Sequence, residues 1–452
     1  MGSAFYAEYH SHRAIHSRHC FQASRSSSAM GMMILNAGEI AHLDSITNNS
    51  AISGHDMTDR ESNVSPSGLG ILIQDGVFTS ITDSQSLQTE YAPDWDGDDT
   101  SSKLSIIDAK GCAIIPGLID SHTHLIWGGD RSSELRLRQS GMSYKQISDI
   151  GGGIQRTVMS TRQMTLKDMV STGLSRVVEA SKYGTCAMEV KSGYGLDTET
   201  ELRLLEAASE ISRISDVGIF PTWLGAHDFP HDKRRTDYID ELLSDQLPKV
   251  SEQGIAKWCD VFCEEGWYTN DETESIVEQA KEHGLQSRLH VDEFVDSDGL
   301  ALAADLGCVS ADHVAKSNTD SRQKASDAGT MQTFLPGTPY VLGNTLDLPL
   351  NECIDSNWAF SLATDYNPNC RFLSLPLVSN ICCTRMGLDP LAALIATTRN
   401  PATTLEDDTI TGRIAVGHSA NVNIVLSSDI DGWCQTPGEN PFSHTIISGN
   451  IV

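Results

Sequence analysis

Pro116-Gly117-Leu118-Ile119-Asp120-Ser121-His122-Thr123-His124 reads as a short apolar strand that runs into a polar tip. Along an extended chain, residues i and i+2 face the same way. His122 and His124 therefore point together, two imidazoles at the end of one strand. His-x-His alone is a weak signal. At the end of a buried strand that opens an alternating β/α series, it marks a pair of metal ligands.

That series follows. Strand-like segments are read at Ile114–His124, Cys186–Lys191, Gly218–Gly225, Trp258–Cys263, Ser287–Val291, Val309–Asp312, Met331–Leu335 and Phe360–Thr364. Helix-length amphipathic stretches such as Met164–Lys182, Glu199–Ser212, Asp271–His283 and Ser297–Leu306 lie between them. Alternating units of this kind predict a parallel sheet, and eight strands fit a closed barrel. Before the barrel, Met33–Ala37, Gly70–Gln74 and Val77–Ile81 are β-rich, with Asp75-Gly76 as a hairpin turn. After it, Gly412–Leu426 and Ser443–Val452 are β-like again. The expected class is α/β: a (β/α)8 TIM-like barrel over 116–404 and a small β-sandwich built from both chain ends, 33–115 and 405–452. The polar stretch 44–67 is expected to be a surface loop. Residues 1–32, Arg- and Ser-rich with a single acid, read as a disordered leader.

Barrel chemistry sits where strands end. The polar residues at those ends are His122 and His124, Glu189 and Lys191, His227, Glu264, His290 with Glu293, His313, and Asp365. Scattered surface histidines do not fall on strand ends so regularly. His290 and Asp365 can complete a site begun by His122 and His124, with a position left for water. Imidazole and carboxylate donors suit Zn²⁺ or Fe²⁺, and such a cation brings the pKa of its water towards neutrality. Lys191 reads as a structural ion pair. Glu264 is ambiguous beside Glu265.

Composition narrows the partners. With 32 Lys and Arg against 61 Asp and Glu, the formal charge is −29. A surface so acidic repels phosphate backbones and anionic lipid, which argues against nucleic acid and membrane. An anionic substrate then needs its own local cation, and Arg131 lies just after the metal pair. Guanidinium grips carboxylate through two parallel hydrogen bonds. The 11 cysteines follow no framework of spacings and read as core thiols of a reducing, cytoplasmic compartment. Neither a phosphate-binding loop nor a Gly-x-Ser-x-Gly elbow is present.

PGLIDSHTH, the strand-five His290, the strand-six His313 and Asp365 in ATDYNP together resemble the amidohydrolase superfamily. The spacing His290-x-x-Glu293 is that of its mononuclear members. HLIWGGDR (124–131), GGGIQRTV (151–158), EVKSGYGL (189–196), WLGAH (223–227), SADH (310–313) and LPGTPYVLG (335–343) further resemble the imidazolonepropionase family of histidine degradation. That resemblance implies hydrolysis of 4-imidazolone-5-propanoate to N-formimino-L-glutamate. It implies one divalent ion on His122, His124, His290 and Asp365, and a homodimer. It implies substrate binding by Arg131, Tyr144, Tyr194 and His227, with Arg131 on the carboxylate. Glu293 would shuttle the proton, His313 would stabilise the oxyanion, and Asp365 would share the proton as base. The alternatives are a mononuclear deaminase of a nucleobase or related ring, which has no need of an anion clamp, and a barrel that binds without catalysis.

Overall fold

The computed structural model describes residues 31–45, 48–97, 104–142, 146–147 and 150–452. Most of the expected leader and Tyr144 lie outside the described residues.

Eight parallel strands form one sheet: Leu118–Asp120, Thr185–Lys191, Gly218–Ala226, Trp258–Cys263, Gln286–Val291, Ser310–His313, Met331–Phe334 and Phe360–Leu362, in chain order. The ends of the sheet meet at a parallel bridge between Thr123 and Tyr366. There His124 N–H donates to Tyr366 O at 2.9 Å and Asp365 N–H donates to His122 O at 3.2 Å. Thr185–Lys191 and Trp258–Cys263 are buried along their whole length, as strands covered on both faces must be.

The crossover helices form where sequence supplies a start and an apolar stripe. Thr165 and Asp168 make a reciprocal capping box before Leu166–Lys182, which satisfies first-turn N–H groups that have no partner within the helix. That helix buries Met169, Gly173, Val177 and Ala180, a spacing of three to four that lays one stripe on the barrel. Thr269 and Glu272 repeat the device for Asn270–Glu282.

Two smaller sheets come from the chain ends. One runs in the order Val77–Asp83, Leu69–Gln74, Gly31–Leu35, Ser105–Asp108. The other runs Asn450–Ile451, Phe442–Ile447, Val422–Val425, Ile114–Pro116, Ile40–Ala41, Val64–Ser65. Ile34, Ile71 and Phe78 of the first share a core with Ile114, Val422 and Ile446 of the second. Asp75 and Gly76 both take positive φ, 51° and 77°, at the expected hairpin.

Two expectations need correcting. The segment Ile114–His124 is not one barrel strand. Ile114–Pro116 pairs with Val422–Val425 in the outer sheet, and only Leu118–Asp120 joins the barrel. The change of sheet falls at Gly117, where a Cβ would stand 2.6 Å from Cys186 Sγ and 3.0 Å from Asn421 Cβ. Nor is 44–67 a surface loop throughout. Ile52 and Met57 are fully buried, and the Asn400 side chain bonds both Ile52 N–H at 2.8 Å and Ile52 O at 3.0 Å. That amide pairs the Ile52 backbone as a neighbouring strand would.

Candidate metal centre and active site

His122, His124 and His290 meet at the mouth of the barrel, with one ligand nitrogen from each lying within 4.8 Å of the others, and all three are buried. His124 Nε2 and His290 Nε2 are 3.3 Å apart. Asp365 Oδ1 is 3.6 Å from His122 Nε2 and 3.5 Å from His124 Nε2. His122 Nε2 is buried without a hydrogen-bond partner. Lone pairs crowded on one point, with an orphaned nitrogen among them, fit a divalent cation.

Carboxylates behind the ring set the tautomers. His122 Nδ1 is 2.7 Å from Asp312 Oδ2, and His290 Nδ1 is 3.0 Å from Asp260 Oδ1. An Nδ1–H held this way leaves Nε2 as the coordinating atom. Burial, with the Lys191 charge next in size, drives His122 well below the usual imidazole range. Burial does the same to His124 and His313, aided by His227 and His290 respectively. Neutral imidazole is the form that binds metal.

Lys191 lies under this layer. Its Nζ is 2.7 Å from Asp260 Oδ2, 3.0 Å from Glu189 Oε1 and 3.7 Å from Asp312 Oδ2, and all four side chains are fully buried. Burial disfavours the ammonium, but Asp260, Glu189 and Asp312 outweigh it and raise the pKa of Lys191. Asp260 is correspondingly held below the usual carboxylate range, because His290 and Lys191 outweigh its own burial. Lys191 is thus the buried ion pair expected from sequence. Asp260, Asp312 and Glu189 were not foreseen as its partners. The signal for Asp260 is a lone acid between apolar neighbours in Trp-Cys-Asp-Val-Phe-Cys (258–263).

The cavity above the histidines is lined by Arg131, Tyr194, His227, Glu293, His313 and Asp365, together with Phe262, Thr338 and Asn367. Every site residue expected from sequence and lying within the described chain therefore borders the cavity or the histidine cluster. Thr338 hydroxyl donates to Asp365 Oδ2. Burial lifts Asp365 to about 6, against hydrogen bonds from Thr338 and Asn367 that lower it. Burial, then the charges of Asp365 and Glu264, push Glu293 well above the ordinary Glu range. Glu293 Oε2 is 3.6 Å from His313 Nε2.

Positions are fixed from behind here too. Glu264 accepts from the N–H groups of Glu293 at 2.7 Å and Phe294 at 3.3 Å; Glu265 is exposed. Glu264 is therefore a positioning residue for the loop that carries Glu293. His227 Nδ1 is 2.9 Å from Gly193 O, and burial depresses His227 to about 3. Arg131 is not a surface residue. Its Nε and Nη2 bond Glu134 Oε2 at 2.9 and 2.8 Å in a buried pair, which orients the guanidinium at the cavity wall. His313, Val314 and Asp365 sit at positive φ of 73°, 45° and 50°. Such backbone costs on the order of 1–3 kcal/mol per residue.

A family model described as "Amidohydrolase family" matches residues 105–160. Among curated proteins, imidazolonepropionase of Symbiobacterium thermophilum is 38% identical over 73% of this chain and 78% of its own length. That of Haloarcula marismortui is 36% identical over 84% and 89%, and that of Brevibacillus brevis 34% identical over 84% and 89%. Among solved structures, 5-methylcytosine deaminase of Klebsiella pneumoniae shares the fold with TM-score 0.66 and 16% identity, covering 93% of this chain and 97% of that one. An adenosine deaminase of Xanthomonas campestris with bound zinc gives TM-score 0.62 at 13% identity, covering 93% and 92%. These last two speak for the fold alone. Carried by the histidine cluster and by relatives 34–38% identical over 73–84% of this chain, the conclusion is that this chain belongs to the imidazolonepropionase family of amidohydrolases.

Proposed function

We propose that the chain opens the ring of 4-imidazolone-5-propanoate by hydrolysis, giving N-formimino-L-glutamate. One water is consumed. Its oxygen joins the ring carbonyl carbon, the bond from that carbon to the ring nitrogen breaks, and the nitrogen leaves with a proton. The observation that carries the reading is one cavity that joins the histidine cluster to Arg131, Tyr194, His227, Glu293 and His313.

His122, His124, His290 and Asp365 would hold one divalent ion, Zn²⁺ or Fe²⁺. Bound there, such an ion supplies Lewis acidity towards the carbonyl and acidifies a water. The chain's own groups do the rest. Arg131, oriented by Glu134, binds the propanoate carboxylate. Tyr194 and His227 border the ring, and His227 presents Nε2 because Gly193 O takes Nδ1–H. Tyr144, outside the described residues, is a further substrate-binding residue of this proposal. His313 faces the oxygen on which negative charge develops. Glu293 takes the proton from water and returns it to the departing nitrogen, from a side chain that lines the cavity 3.6 Å from His313 Nε2. Asp365 shares that proton. No helix among the described residues is long and apolar enough to cross a membrane. A cytoplasmic homodimer is the assembly we propose.

The test is turnover of freshly prepared 4-imidazolone-5-propanoate by metal-loaded and metal-stripped protein, with cytosine and guanine in parallel. Formiminoglutamate that appears only with metal is the expected result. Ammonia from a nucleobase, with no turnover of the imidazolone, would overturn the reading in favour of a deaminase.

A further inference from the structure

The geometry points to Lys191 as a positioning residue that sets how tightly the three histidines hold their cation. The inference rests on the metal centre proposed above but concerns a side chain that touches neither cation nor substrate.

One ammonium is shared by three carboxylates, and each of them holds a different part of the centre. Asp260 gives Oδ2 to Lys191 and Oδ1 to His290 Nδ1. Asp312 gives the same Oδ2 to His122 Nδ1 at 2.7 Å and to Lys191 at 3.7 Å. Glu189 gives Oε1 to Lys191, and its Oε2 accepts at 3.3 Å from the N–H of Thr123, the residue between the two ligands of the first strand. The Thr123 hydroxyl closes this link by donating to Glu189 O at 2.6 Å.

Remove the ammonium and three carboxylates remain together with no exposure to water. Buried like charges with no counter-ion move apart, and a displaced Asp260 or Asp312 turns its imidazole away from the common point. Groups behind the ligands typically change metal affinity by about 10–100-fold when lost. A simple structural ion pair would instead weaken the fold and leave the affinity of the folded protein alone.

The experiment measures the dissociation constant for Zn²⁺ by competition with a chromophoric chelator, alongside the thermal midpoint of metal-free protein. The proteins are wild type, Lys191→Met, Lys191→Arg and Asp312→Asn. We expect Lys191→Met to weaken Zn²⁺ binding by at least about 10-fold. Lys191→Arg keeps the charge and should recover part of the loss. Asp312→Asn keeps an acceptor for His122 Nδ1 but loses the charge held by Lys191, and should fall between. Wild-type affinity in Lys191→Met, however low its thermal midpoint, would overturn the role of Lys191 while leaving the metal centre standing. If Lys191→Met does not fold, Asp312→Asn decides: unchanged affinity there overturns the proposal. Wild-type protein that takes up no Zn²⁺ would overturn the centre, and this inference with it.

Discussion

Replacing Glu293 by Gln should leave a folded, metal-loaded protein that has lost most of its turnover. Gln is close in volume, and the loop does not depend on the side chain, because Glu264 grips the backbone N–H of residue 293 at 2.7 Å. The cation should also stay, since Glu293 lies outside the cluster of His122, His124 and His290. What disappears is a group able to take a proton and return it. A positioned acid–base group contributes about 10²–10⁴-fold to rate, or roughly 3–5 kcal/mol of barrier at about 1.4 kcal/mol per decade. The upper half of that range is expected here. The neighbouring carboxylates do not replace it fully: Asp365, which shares the first proton, has Oδ2 engaged by Thr338 and Oδ1 facing His122 and His124, and Glu264 is engaged by two backbone N–H groups. The assay is kcat from formiminoglutamate production at saturating substrate, with metal per chain measured on the same sample. A kcat within about 10-fold of wild type at full metal content would refute the shuttle role. Loss of the metal would refute it differently, by making Glu293 a ligand.

Arg131→Lys keeps a charge but not the planar fork, so KM for the propanoate substrate should rise by about 10-fold or more while kcat changes less; an equal KM rise for an analogue with an uncharged tail would show that the carboxylate is not what Arg131 binds. Glu201→Gln attacks the loop that carries Tyr194, whose N–H groups at Gly193, Gly195 and Leu196 all donate to the buried Glu201 carboxylate at 2.8, 2.6 and 2.9 Å. Losing one or two such bonds, at about 1.5–3 kcal/mol each, should lower both the thermal midpoint and kcat/KM, and an unchanged kcat/KM would dissociate that loop from substrate binding. Gly117→Ala places a Cβ against Cys186 and Asn421 and should cost about 1–3 kcal/mol of stability in a denaturant titration, with kcat at low temperature unaltered.

The barrel was legible because most of its strands are short, largely apolar runs with a polar side chain at or just beyond the end, as Lys191 closes Cys186–Lys191 and His290 stands one residue before the end of Ser287–Val291. The histidines followed from those ends and from two-residue alternation. Their partners did not follow. Lys191 and Asp260 are 69 residues apart, and His122 and Asp312 are 190 apart. Only the closed barrel brings such pairs together, and alternation says which face a side chain occupies without saying what it meets there. The split at Gly117 was hidden for a related reason: Ile114–Ile119 is apolar on both sides of the glycine, since Ile114 enters the core of the smaller sheets while Ile115, Leu118 and Ile119 enter the main core. Residues 44–67 looked like a loop because their composition is polar. Among the described residues of that stretch Ile52, Gly54, Met57 and Asn63 are buried, and Ile52 is anchored by an asparagine 348 residues away. Arg131 was placed at the cavity by its position in the first loop, but its buried pair with Glu134 needed the turn that leads into the next helix, where Glu134 N–H donates to Arg131 O at 2.9 Å.

The seam where the barrel closes has a consequence for how the protein comes to exist. Thr364 N–H and hydroxyl bond Asp120 at 3.0 and 2.6 Å across 244 residues of chain, one residue from Asp365 and two from His122. The first two ligands thus emerge early in synthesis and wait for the last strand. Contacts so distant in sequence form late, since each must overcome the entropy of closing a long loop. A nascent chain that ends before Phe360 carries His122, His124 and His290 but has an open sheet edge and no Asp365. If Asp365 completes the proposed ligand set, uptake of the cation would time barrel completion, and the rate at which refolding protein acquires metal would read out the final step of its assembly.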